Sequence, residues 1–144
     1  MKATPAAKAV LRQATAYSPN RKKASDGLLP SKAHLSQSPN SDHNTGFAVD
    51  LTHDPENGID CADLYQKLRT DKRVKYLIFK GRIFSKEKGD RVYTGSNAHN
   101  KHLHISIEPG SGKDKRPWFP FFPKAKFINK VKAAIKPLPK KKAN

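Results

Sequence analysis

HLHISI, residues 102–107, alternates without exception: Leu103, Ile105 and Ile107 fall on one side of an extended chain, His102, His104 and Ser106 on the other. A helix would scatter the three branched apolar side chains, so the stretch is a strand with one core face and one polar face. GFAVDL, residues 46–51, has the same period, with Phe47, Val49 and Leu51 inward and Ala48 and Asp50 outward. If these strands are neighbours in one antiparallel sheet, Asp50 shares a side with His102 and His104.

Working outward, PAAKAVLRQATAY, residues 5–17, is Ala-rich and predicts a helix with proline in its first turn. Residues 18–44 form a long polar stretch interrupted by prolines, a length of irregular chain that is often functional. Asp60 is placed to cap a helix from Cys61 to about Thr70, burying Cys61, Leu64, Tyr65 and Leu68. VKYLIF, residues 74–79, and RIFS, residues 82–85, predict a hairpin about Lys80 and Gly81. Residues 86–99 read as loop. Pro109 and Gly110 end the last strand. Beyond it lie the aromatic PWFPFFP, a basic amphipathic helix over residues 124–136 and a disordered PLPKKKAN tail.

The chain of 144 residues is one domain's worth, with 35% hydrophobic residues and a mean hydropathy of −0.80, so its core is small. A net charge of +17 calls for a polyanionic partner: nucleic acid, anionic lipid or the anionic polymers of a bacterial envelope. From Ser111 onward there are eleven Lys or Arg and one acid, Asp114, so the surplus is concentrated at the C-terminal end. A lone cysteine, Cys61, excludes an intrachain disulfide and a Cys-rich zinc knuckle. The N-terminus lacks the apolar run of a signal peptide, and no window approaches a membrane span. Synthesis as a soluble cytoplasmic protein is expected, with release by other means if it acts elsewhere. Nothing calls for an obligate protein partner, and a monomer is expected.

Six histidines decide the chemistry: His34, His43, His53, His99, His102 and His104. His34 and His53 sit in polar loops and read as solvated. His43 leads into the strand that presents Asp50, and the second strand presents His102 and His104. Two or three imidazoles and a carboxylate on one side form a first shell for a catalytic zinc, which takes three N/O ligands and keeps one position open. A closed structural site would prefer cysteines, which this chain lacks.

At this point the residues match a pattern. S-x-H-x-x-G-x-A-x-D is met by Ser41, His43, Gly46, Ala48 and Asp50, and an H-x-H strand follows at His102 and His104. Together they resemble the LAS-type zinc peptidases, among them D-alanyl-D-alanine carboxypeptidases and L-alanyl-D-glutamate phage endolysins, over roughly residues 15–110. The resemblance implies an α+β fold: a small, mostly antiparallel sheet with helices packed on one side and a zinc site on the exposed face. It implies Zn2+ held by His43, Asp50 and His104, with Ser41 and Gly46 shaping the approach, and a catalytic domain over residues 1–110 followed by a basic aromatic extension, 111–144. Many members place Glu or Asp as general base three residues before the last ligand. Here Lys101 stands there, so His102 becomes the leading candidate base and His99 the second. Arg21 is a candidate for holding an oxyanion or a substrate carboxylate, and Tyr93 and Ser96 for lining the groove.

The expected activity is hydrolysis of a peptide bond in the stem or cross-bridge of peptidoglycan. The basic C-terminus is expected to help the chain meet anionic envelope polymers or lipid. Two other classes stay open: a basic nucleic-acid-binding protein or metal nuclease, suggested by DHN and HNKH, and an inactive relative that keeps zinc for stability.

Overall fold

The computed structural model describes residues 2–30 and 40–120. Five strands, β1 (Ala48–Thr52), β2 (Val74–Phe79), β3 (Arg82–Ser85), β4 (Gly89–Val92) and β5 (His102–Ile107), form one antiparallel sheet in the order β1-β5-β2-β3-β4. With helices α1 (Pro5–Tyr17) and α2 (Cys61–Lys67), the architecture is α+β. The two strands quoted first are direct neighbours. In their register Val49 pairs with Ile105 and Asp50 with His104. Their inward residues join Val10 of α1, Leu64 of α2, Leu77 and Ile107 in a single core on the helix side.

Each helix starts where its sequence says. Thr4 caps α1 by accepting from the Ala7 amide, and Asp60 caps α2 by accepting from Ala62 and Asp63. The predicted second helix narrows to a 3-10 turn over Leu68–Thr70, with Leu68 still buried. The hairpin turns on Lys80 and Gly81, both at positive φ, the geometry of a two-residue turn that follows the strand twist. β4 lies inside the segment read as loop. Its sequence, GDRV, carries no apolar alternation, because an edge strand over solvent has no second face to bury.

The C-terminal boundary also moves. Trp118 and Phe119 are buried in the core, and the Trp118 indole donates to the Ala6 carbonyl at 3.0 Å. The Trp118 amide donates to Gln13 Oε1 at 2.8 Å, and the Arg73 guanidinium stacks 3.7 Å over the indole. A division after residue 110 therefore comes too early, since the core runs on to Phe119. His34, the basic helix over residues 124–136 and the tail lie outside the described residues. Among the described residues no helix is long and apolar enough to cross a membrane.

Candidate metal centre

The turn before β1 sets the first ligand. Ser41 Oγ accepts from the His43 amide at 3.3 Å and starts a 3-10 turn, Asp42–Thr45, that Gly46 ends at φ +81°. A Cβ on Gly46 would lie 2.2 Å from the Lys2 carbonyl oxygen, and the Gly46 carbonyl receives both the amide and the hydroxyl of Thr4. Glycine is needed there because the N-terminal chain crosses against its backbone.

His43, Asp50 and His104 each offer a ligand atom within 4.8 Å of the others. His43 Nε2 and His104 Nδ1 each stand 3.2 Å from Asp50 Oδ1. The trio lies on the sheet face turned away from the helices, yet that face is not open here: His43 is 7% exposed and His104 4%. The Gly27 backbone covers the outer edge of β1, exchanging both hydrogen bonds with Asp50. The resemblance implies a site on the exposed face; in the fold both imidazoles of the trio are buried there and Asp50 is only partly exposed.

The second nitrogen of each imidazole is spoken for. His43 Nδ1 donates to the Leu28 carbonyl at 3.0 Å, which leaves Nε2 as the ligand atom. On the other side the Tyr76 hydroxyl bonds Asp42, which as a carboxylate only accepts, and Ser106. Tyr76 therefore donates to Asp42 and accepts from Ser106. Ser106 Oγ in turn accepts from His104 Nε2 at 2.8 Å, so the lone pair of neutral His104 sits on Nδ1, towards Asp50. The Tyr76 ring also stacks on His104 at 5.4 Å. Two imidazole nitrogens and a carboxylate oxygen, with tautomers fixed by outer partners, fit a borderline cation such as Zn2+.

Charge follows the same geometry. Burial opposes ionisation of Asp50, yet the hydrogen bonds and charges of His104 and His43, whose rings donate to it when protonated, outweigh it and hold the carboxyl well below its ordinary range. Burial also opposes protonation of His43, but the hydrogen bond and charge of Asp50 raise its pKa overall. His102 and His99 move the other way. Burial leads in both, and His99 is pushed down to about 4, with the charges of His104 and His102 adding to it.

Both candidate bases reach the site. His102 Nε2 lies 3.5 Å from Asp50 Oδ2. The His99 ring meets His102 edge-on at 5.0 Å and His104 at 5.5 Å, held in a left-handed conformation of φ +58° that non-glycine residues rarely adopt. Tyr93 comes with it, its ring centre 5.7 Å from that of His99 in an edge-on contact, while Ser96 stays exposed on the same loop.

Arg21 does not. Its side chain is 1% exposed and donates two parallel hydrogen bonds to the Asp26 carboxylate, at 2.7 and 3.0 Å, plus one to Thr15. Asp26 in turn receives the Thr52 amide and hydroxyl, so Arg21 fastens the loop to β1 and has no face left for substrate. His53 is likewise structural, accepting from the Cys61 amide and resting on Phe79.

The residues the sequence reading missed are Tyr76, Asp42 and the Leu28 carbonyl. The alternation puts Ser106 on the correct face, and its position two residues beyond His104 is the signal of its role. Comparison with protein-family models, with curated proteins and with solved structures gave no match.

Proposed function

We propose that the chain is a zinc-dependent peptidase that hydrolyses a peptide bond of bacterial peptidoglycan. The observation that carries this reading is the convergence of His43 Nε2, Asp50 Oδ1 and His104 Nδ1, each imidazole oriented by an outer partner. The resemblance of the S-x-H-x-x-G-x-A-x-D and H-x-H motifs supplies the substrate class. Zn2+ held by these three residues would polarise the scissile carbonyl and activate water.

The rest is work for the chain itself. His102 and His99, both shifted towards the neutral form, stand beside the trio as imidazoles ready to take the proton of an attacking water. Lys101, where a carboxylate is expected, is exposed and contributes its carbonyl to the His53 amide, so the histidines take that role. With Arg21 engaged on Asp26, a protonated histidine beside the trio would be the protein group left to meet negative charge developing on the substrate.

A nuclease of the His-Asn-His type would carry its second cluster on a helix, whereas residues 102–107 are a central strand. The test is digestion of purified bacterial walls, with fragments identified by mass spectrometry. Wild type should clear walls, a chelator should stop clearing and added Zn2+ restore it, and His43→Ala should be inactive with wild-type folding. Clearing that persists in His43→Ala rejects the reading.

A further inference from the structure

The polar face of the sheet does not end at the metal centre. Through successive registers Asp50 pairs with His104, His104 with Ile78, Ile78 with Ile83 and Ile83 with Arg91, so one row of side chains crosses all five strands. Beside it lies a second row, Ser106, Tyr76, Ser85 and Gly89. Over β2, β3 and β4 this face opens into a cavity of about 470 Å³, floored by half-buried Tyr76, Ile83 and Ser85. Tyr76 belongs to both places: it lines the cavity and stacks on His104.

The rim is basic. Lys75, Lys86, Lys88 and Arg91 line it against two acids, Glu87 and Glu108. Lys75 is partly spent on Asp42 at 3.3 Å, and Lys86 donates to the Lys72 carbonyl. Arg91 lines the cavity and uses only Nη1 on Ser85 Oγ and the Gly89 carbonyl. A half-apolar floor with a net positive rim matches an acidic peptide, backbone across the floor and carboxylates to the cations.

We propose that this groove is the binding site for an acidic peptide segment of the substrate, with Arg91 and Lys88 as its specificity residues. Only the identity of the occupant as part of a wall peptide rests on the peptidase reading. Length supports the assignment. β5 to β4 is three strand spacings, about 14 Å, which an extended chain covers in about four residues. The groove therefore reads carboxylates up to about four residues from the scissile bond.

The test measures binding without turnover. The full chain is held in chelator and titrated with a synthetic glutamate-containing tetrapeptide, carboxylates free or amidated, while backbone amide shifts are followed by NMR. The free acid should shift residues of β3 and β4, and amidation should weaken binding roughly fivefold, the scale of an exposed charge pair. Arg91→Gln and Lys88→Gln should each weaken it similarly with an unchanged melting temperature. Equal binding of the two peptides, or variants that bind like wild type, overturns the proposal. Because no hydrolysis enters, the two readings fail separately. Wall clearing without peptide discrimination removes the groove alone, and discrimination by a chain that clears no walls removes the peptidase alone.

Discussion

His99 is held between an unfavourable backbone conformation and a set of rings, and its protonation reports on that environment. Burial and the two imidazoles of His104 and His102 push it down to about 4, while an unfolded histidine titrates near 6.5. In the metal-free protein the unfolded chain therefore binds a proton that folded His99 refuses between about pH 6.5 and about pH 4. That contribution to stability is complete above pH 6.5 and falls as the pH drops through this window. His43 acts in the opposite sense: its raised pKa adds stability that is complete below pH 6.5 and lost as pH rises through the folded value. In metal-free protein the imidazole resonance of His99 should stay flat from pH 7.5 to 5, while that of His43 titrates above 6.5. A His99 midpoint near 6.5 would show that the ring is solvated and not packed in the cluster.

At the scale of elements, β1, β5 and the turn before β1 place the three candidate ligands, and β2 and β5 place their supports. Ser106 stands two residues from His104 on β5, and Tyr76 faces Ser106 across the register from β2. The chain from His104 through Ser106 and Tyr76 to Asp42 ends in the same turn that carries His43, so the two candidate histidine ligands are tied to one another through hydrogen bonds. Removing a link frees the His104 tautomer. Ser106→Ala should lower zinc affinity about 10–100-fold with little loss of secondary structure, read by competition with a chromophoric chelator. An unchanged affinity would mean that ring stacking on Tyr76 alone orients His104.

On the scale of the whole molecule, the N-terminal helix joins the site to the C-terminal segment. α1 meets Gly46 through Thr4, Gly112 through the Ala6 amide, and Trp118 through Ala6 and Gln13. Trp118 is fully buried and carries the Arg73 guanidinium on its face, with Arg73 also reaching the Arg116 and Pro117 carbonyls and Asp71. Trp118→Ala should cost about 3–5 kcal/mol of stability by urea unfolding. Because α1 also braces Gly46, it should weaken zinc binding too. Loss of stability with no change in zinc affinity would separate the clamp from the site.

Much of this was legible in the residues themselves. The period of two in HLHISI and AVDLT settles which side chains face the core, because successive Cβ atoms must point to opposite faces whatever the fold. Asp60 at the start of α2 and the Lys80-Gly81 turn are local chemistry, and local chemistry survives folding. The three atoms that meet at the candidate metal centre belong to residues 43, 50 and 104, the residues the motifs point to. The rest depended on distance in space. Arg21 carries no sign of Asp26 as its partner, β4 has no pattern because its polar edge needs none, and Trp118 looks like part of a tail until α1 is beside it. That His43 leans on the Leu28 carbonyl, that Tyr76 ties His104 to Asp42 and that the site is mostly buried follow from strand register and loop path. Those are set by the packing of the entire chain and by no stretch within it.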